Sequence, residues 1–317
     1  MNVFDLHCDT TKLCWEQQWD LINPTSQVSL DRPPKGKWAQ VFATFVPDSY
    51  RGPSAGRFLQ ENYGYYQEQL KKNSSLVAPV ARGGDIQAIN ASGRCAAILA
   101  VEGGCVLQGK MEKVQTLVDM GVKILTLTWN APNEIGSGHD REDLGLTDFG
   151  RSLIPVLEQN HILVDISHLN DRGFDEVAER ASRPFIASHS NLRSICSAPR
   201  NLTEEQFCKL ARSGGVAGIN LHAPFLTDEP AKAGMDHVLR HVTRFLELGG
   251  EDHVAIGSDF DGANIPPCLV GTQGLENLAE YLLVHGISED VINKMYYDNA
   301  LRLFQQLDAD PLGRPTA

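Results

Sequence analysis

No apolar run in the 317-residue chain approaches the roughly 18 residues that a bilayer-crossing helix needs. Positive charge is also scarce: 28 Lys and Arg stand against 40 Asp and Glu, a net charge of −12. The basic face that nucleic-acid binding requires is therefore missing, although a pocket could still hold an anionic group. Cysteine is sparse and unpaired in pattern, with seven residues (8, 14, 95, 105, 196, 208 and 268) and no Cys-x-x-Cys. That argues against a thiolate metal site and reads as reduced thiols in a cytoplasmic protein. The opening Met1-Asn-Val-Phe-Asp5 carries no basic segment followed by an apolar one, which gives the same cytoplasmic expectation. The sequons at Asn73, Asn90 and Asn201 are then fortuitous. Enzyme signatures are missing too. No G-x-G-x-x-G follows an early strand, and Ser188, Ser190 and Ser258 sit in no G-x-S-x-G elbow. His237 and His241 have the spacing of a zinc-protease helix, but Val238 stands where that motif needs Glu, so both read as surface histidines.

What is present is an alternation. Hydrophobic residues make up 42% of the chain, enough for a large core. Eight short apolar, β-branched stretches read as buried strands: Val3–Cys8, Ala39–Val46, Cys95–Val101, Val122–Trp129, His161–Ser167, Pro184–Ser188, Gly215–Asn220 and His253–Ser258. Between most of them run amphipathic helical patterns, among them Met111–Met120, Thr147–Gln159, Asp171–Ala181, Thr203–Arg212 and Met235–Leu248. Leu275–His285 and Glu289–Gln306 follow the last strand. Strands alternating with helices predict a parallel sheet covered on both faces. Eight such units point to an α/β fold closed as a (β/α)₈ (TIM) barrel, with an open doubly wound sheet as the competing arrangement. The expected organisation is one barrel domain over residues 1–307, with a long excursion at 47–94 and a loose tail over 308–317.

Polar residues recur where these strands end. The first ends Asp5-Leu-His7-Cys-Asp9, the third Val101-Glu102, the fifth Asp165-Ile-Ser-His168, the sixth Ser188-His189 and the eighth Gly257-Ser-Asp259-Phe-Asp261. In a barrel those ends converge on one rim, so His7, Asp9, Glu102, His168, His189 and Asp259 would face one cavity. Imidazole and carboxylate suit zinc and neighbouring first-row metals. Taken singly, His168 and His189 could be core histidines; their joint placement with three carboxylates argues for a metal centre. Charge favours two ions over one. Four positive charges balance ionised Asp9, Glu102 and Asp259 with a bridging hydroxide, whereas a single ion would leave a carboxylate to be protonated. His139 and His222 fall on rim loops, open to substrate or to solvent.

With those residues assembled, the chain resembles the membrane (renal) dipeptidase family, a branch of the amidohydrolase superfamily. The likeness runs from Asp5 to about Leu303. Its most specific stretch is Ser188-His-Ser-Asn-Leu-Arg-Ser-Ile-Cys-Ser-Ala-Pro-Arg-Asn-Leu-Thr203, supported by Gly145-Leu-Thr-Asp-Phe-Gly150 and Gly257-Ser-Asp-Phe-Asp-Gly262. The resemblance implies two Zn²⁺ per chain bridged by Glu102, with His7 and Asp9 completing one site and His168 and His189 the other. A glutamate bridge fits the position of Lys123, which starts its strand instead of ending it. The resemblance further implies that Asp259 is the acid–base residue, with Asp261 the less favoured choice, and that Arg200 holds the substrate carboxylate. Tolerance of a C-terminal D-residue and a homodimer are also implied. Two departures touch the substrate side: Trp129 stands where the family tends to carry His after Thr-Leu-Thr, and Gly218-Ile-Asn-Leu-His222 ends in His where an aromatic such as Tyr is usual. Trp129, Asn220 and His222 are accordingly the expected substrate contacts beside Arg200.

The expected reaction is hydrolysis of a dipeptide by a metal-bridging hydroxide, with Asp259 taking the proton and delivering it to the leaving amine. Two other readings stay open. One is a zinc amidase or lactamase acting on another carboxylate-bearing amide, and the other is a silent barrel used for binding.

Overall fold

The computed structural model describes residues 1–308; apart from Asp308, the expected tail lies outside them. The strands are β1 (Val3–Cys8), β2 (Trp38–Phe45), β3 (Val77–Pro79), β4 (Cys95–Glu102), β5 (Val122–Thr126), β6 (Leu163–Asp165), β7 (Ala217–Ile219) and β8 (Val254–Ile256). Parallel pairing runs β6-β5-β4-β2-β1-β8-β7. Single bridges from Asp165 to Ile186 and from Ala187 to Ala217 carry the ladder on from β6 to β7. Eight strand positions thereby close on themselves with helices outside: the expected (β/α)₈ barrel. The open-sheet alternative is set aside by those two bridges. β3 takes only the early part of β4, at Cys95–Ala97, leaving Leu99–Glu102 to β5.

Side chains alternate between two layers, as the strand period requires. In β4, Ala96, Ile98 and Ala100 belong to the barrel interior, while Cys95, Ala97, Leu99 and Val101 meet the helices outside. Glu102 continues the inward series. β1 reaches the same result by an irregular route. Phe4 and Leu6 face inward, and Val3 and Cys8 outward. Strict alternation would put His7 outside with Val3. Instead the register slips between Asp5 and Cys8, so that three steps on β1 match two on β2. This bulge turns His7 back towards the centre, a recognised use of bulges beside active sites.

Two glycines make closure possible. A Cβ on Gly218 or Gly257 would lie 2.0 or 1.9 Å from the Ser188 carbonyl oxygen, so only glycine lets the Pro184–Ser188 segment approach. The opposite end of the barrel is plugged by the last helix, Asn299–Leu307, whose Phe304 packs 5.2 Å from Phe4.

Several boundaries differ from the sequence expectation. His161–Ser167, Gly215–Asn220 and His253–Ser258 shrink to three-residue ladders, and Pro184–Ser188 to its two bridges, because the chain leaves the ladder early to form site loops. The helix expected over Glu289–Gln306 is interrupted by a π turn at Lys294–Asp298. There the adjacent Tyr296 and Tyr297 are both buried, with hydroxyls donating to Leu275 O and Asn90 Oδ1. Helices Thr10–Gln17 and Asp85–Ala91 were not expected, nor was β3. Within the excursion, helix Pro53–Lys72 lies along the barrel wall, with Tyr66 against Phe42. Asn73, Asn90 and Asn201 are all buried, a poor setting for a glycan.

His241 corrects the surface reading: it is fully buried. Its Nδ1 accepts from Leu192 N–H at 3.2 Å and its Nε2 donates to Leu226 O at 3.1 Å, tying two rim loops together as a neutral imidazole. Burial holds its pKa down, to about 4 from an ordinary 6.5. The unfolded chain binds the extra proton first, so this contribution is complete above pH 6.5 and is lost as pH falls through about 4. It amounts to on the order of 3 kcal/mol. His241→Gln should flatten the dependence of Tm on pH across that window; an unchanged slope would refute the assignment.

Candidate active site

The strand ends bring six of the expected side chains together. Glu102, 3% exposed, is the hub: Oε2 lies 3.3 Å from His7 Nε2, and Oε1 lies 2.8 Å from His168 Nε2 and 3.9 Å from His189 Nε2. His7 Nε2 is also 3.5 Å from Asp9 Oδ2 and 4.0 Å from Asp259 Oδ1. Two overlapping sets have ligand atoms close enough to share an ion, His7–Glu102–His189 and His7–Asp9–Asp259. Lys123 lies at the start of β5, while Glu102 pairs with Thr126 at its end, so no lysine can take the bridging place from that strand.

Tautomers show why a cation fits. Ser188 Oγ donates to Asp165 Oδ2 at 2.6 Å and accepts from His189 Nδ1–H at 2.7 Å. His168 Nδ1 donates to Asn130 Oδ1 at 3.0 Å. Both imidazoles therefore turn bare Nε2 lone pairs into the site, 3.1 Å apart and against a carboxylate. Burial, with the nearby charge of Arg200, holds both pKa values below the ordinary range, so protonation does not relieve the crowding. His7 Nε2 and Asp9 Oδ1 are buried without a hydrogen-bond partner. Burial lowers the His7 pKa, but Glu102 and Asp9 outweigh it and keep it well above 6.5. Burial pushes Asp9 up against the pull of His7, whereas Glu102, despite its own burial, is held far down by His7 and His168. A convergent set of oxygen and imidazole donors, several with no other partner, fits divalent metal.

Asp165 anchors the supporting layer. It is fully buried and takes hydroxyls from Thr126 and Ser188 and backbone N–H groups from Ser167 and Ser188. Such partners orient a metal-binding imidazole and are worth about 10–100-fold in affinity. Ser188→Ala should weaken zinc binding by about tenfold in a chelator competition; unchanged affinity would show that the serine does not orient His189.

Three residues at the rim adopt left-handed backbone: His168 (φ +71°), Asp259 (φ +62°) and Asp261 (φ +66°). For residues other than glycine this costs about 1–2 kcal/mol each. The turn at 259–261 gives the two aspartates different surroundings. Asp261 accepts from Thr10 Oγ1 and from the backbone N–H groups of Gln27 and Val28, clamping the 21–32 loop to the rim. Asp259 accepts from Asn220 Nδ2 at 3.0 Å through Oδ2 alone, leaving Oδ1 towards His7. A Cβ on Gly262 would lie 1.8 Å from Asp9 Oδ2, so this turn must end in glycine.

The cleft above this cluster has a volume of about 300 Å³ and is lined by Trp129, His222 and Asp259, together with Lys12, Phe45, Asn130 and Phe225. The last four were not singled out, since each reads alone as an ordinary helix or loop residue. Trp129 meets Phe45 edge to face at 4.8 Å. Asn220, expected to touch substrate, is fully buried and holds Asp259 instead. Arg200, 6% exposed, sits behind Phe225 and donates to Ser190 Oγ at 2.7 Å and His189 O at 3.1 Å, while its Nε has no partner. His139 lies away from this cleft, on a surface depression with Arg193 and Asp171.

The family model described as membrane dipeptidase (peptidase family M19) matches residues 1–311. The chain belongs to that family. A metallopeptidase from Rhodobacter sphaeroides, solved with a phosphinate mimic of the dipeptide L-Ala-D-Ala, is 26% identical with a TM-score of 0.92, covering 97% of this chain and 99% of that one. A second solved structure, the metallopeptidase dipeptidase AC of the same family, is 27% identical with a TM-score of 0.91, covering 96% and 98%. An uncharacterised Klebsiella pneumoniae protein encoded in the pqqA 5′ region is 33% identical over 222 residues, 67% of this chain and 82% of that protein. The membrane dipeptidase fold and its metal dependence thus extend to this chain, a dipeptide hydrolase. No helix among the described residues is long and apolar enough to cross a membrane.

Proposed function

We propose that this membrane dipeptidase relative is a two-zinc exopeptidase restricted to dipeptides, including those with a C-terminal D-residue. The observation that carries this reading is the convergence of His168 Nε2 and His189 Nε2, 3.1 Å from one another, on the Glu102 carboxylate. His7 and Asp9 would hold one ion, His168 and His189 the other, and Glu102 would bridge them. Bound there, the metals would supply Lewis acidity and water acidic enough to yield hydroxide near neutral pH.

The remaining chemistry belongs to the chain. Asp259, steadied by Asn220, takes a proton at Oδ1 and returns it to the leaving amine. His222 Nδ1 accepts the Asn264 N–H at 3.0 Å, which fixes the tautomer whose Nε2–H donates to a substrate carbonyl in the cleft. Arg200 receives the terminal carboxylate, a planar donor matched to a planar anion. A longer peptide would set a neutral amide against that buried cation and be rejected. The dipeptide mimic held by the 26%-identical Rhodobacter protein supports this substrate class.

The test couples elemental analysis of the purified protein to a zinc-supplemented screen of LL and LD dipeptides, with cyclic amides alongside. About two zinc per chain with dipeptide turnover is the expected result. Metal with turnover only of cyclic amides would move the reading to a lactamase-type hydrolase. Failure to retain metal after supplementation would overturn it.

A further inference from the structure

The cleft carries cations on opposite sides. On one side, Lys12 Nζ lies 5.3 Å over the Phe45 ring, and Phe45 in turn meets Trp129. On the other, Arg200 lies 5.8 Å over the Phe225 ring, which packs 4.7 Å from His222. Arg200 is recessed behind its aromatic. Lys12 is the one Lys or Arg among the described residues that line the cleft itself. Its side chain is only 19% exposed, although it stands on the first turn of the helix Thr10–Gln17, one residue from the Asp9–Thr11 rim.

A surface lysine paired with Glu16 one turn away would be unremarkable. This one is drawn inward over a ring, and Glu16 Oε2 at 2.9 Å takes one of its three N–H donors. Donors remain for an anion entering the cleft. A dipeptide has a single main-chain carboxylate, which the reading above gives to Arg200. Lys12 is then left to meet a carboxylate on a substrate side chain, whose methylenes would lie along Phe45 and Trp129.

We propose that Lys12 is a specificity determinant that selects dipeptides bearing an acidic side chain. The inference rests on the dipeptidase reading and adds the substrate class to it. The same ammonium would disfavour a Lys or Arg side chain in that position.

The experiment compares kcat/KM of the zinc-supplemented enzyme on matched dipeptides that differ only as Glu against Gln, or Asp against Asn, at each position in turn. The acid should be preferred by about tenfold or more at one of the two positions, as a charge-assisted contact supplies. Lys12→Met should bring the ratio close to one, Lys12→Arg should keep it, and Lys12→Glu should invert it. Glu16→Gln, which frees a donor, should raise it, and rising salt should shrink it. Each ratio is taken within one variant, so loss of folded protein cancels. A ratio near one in the unaltered enzyme, or an acid preference that survives Lys12→Met, would overturn the inference and leave the dipeptidase reading intact. A metal-loaded enzyme that cleaves no dipeptide of either kind would overturn both.

Discussion

Asp259→Asn should lower kcat by about three orders of magnitude while the zinc content stays at its unaltered value. Asparagine preserves the shape of the side chain and can still hydrogen-bond Asn220, so the left-handed turn at 259–261 has no reason to move. What it removes is the capacity to accept a proton at Oδ1. General acid–base groups contribute about 10²–10⁴-fold, which sets the expected size. The paired metal measurement matters because Asp259 Oδ1 lies 4.0 Å from His7 Nε2, within one of the two candidate ligand sets. Zinc falling towards one per chain would make Asp259 a ligand instead. Retained activity with full metal would remove it from the mechanism. Asp261→Asn offers a contrast: its carboxylate is engaged by Thr10, Gln27 and Val28, so the damage should appear as a mobile 21–32 loop and lower thermal stability.

Residue pattern alone does not separate the two aspartates, which stand in one Ser-Asp-Phe-Asp-Gly run; only the family resemblance favours Asp259. The general plan can be read from residue pattern. Strand segments followed by His, Asp or Glu, repeated along the sequence, are sufficient to predict that His7, Asp9, Glu102, His168, His189 and Asp259 meet on one rim, because a closed barrel brings its strand ends together. The route by which His7 arrives there was hidden. Period-two reasoning aligns His7 with Val3 and Asp5, and only the slipped register beside β2 turns it inward. Burial of His241 was hidden for a similar reason. Its partners, Leu192 N on a loop and Leu226 O at the end of the short helix Ala223–Leu226, lie far from it in sequence, and no local pattern announces the pairing. Lys12 looks like half of an ordinary i, i+4 helix pair until Phe45 is placed beneath it. Hydrophobic periodicity reports which residues face a core; it does not report which polar residues meet across loops.

Glu102→Gln should cost more than any other single change, reducing metal affinity by well over a hundredfold and abolishing turnover. The reasoning begins from charge. Glu102 is the group through which three imidazoles are connected, at 2.8, 3.3 and 3.9 Å. Gln is nearly isosteric, so cavity formation and repacking are small. The amide, however, presents one weak acceptor and one N–H₂ donor where a carboxylate presents two charged oxygens. Its N–H₂ end could hydrogen-bond a bare imidazole nitrogen but could not ligate a metal, so half of the bridge would be lost. Changes to groups that merely orient a ligand already cost about 10–100-fold, so loss of the shared anion must exceed that. The metal-free variant should nevertheless fold, because the Asp165 network and the bulge at His7 are built from backbone and hydroxyl contacts that do not involve Glu102. Zinc titration of a protein shown to be folded by its thermal transition decides the matter. Two tightly held zinc ions in Glu102→Gln would exclude a bridging role and leave the two metal sites independent of one another.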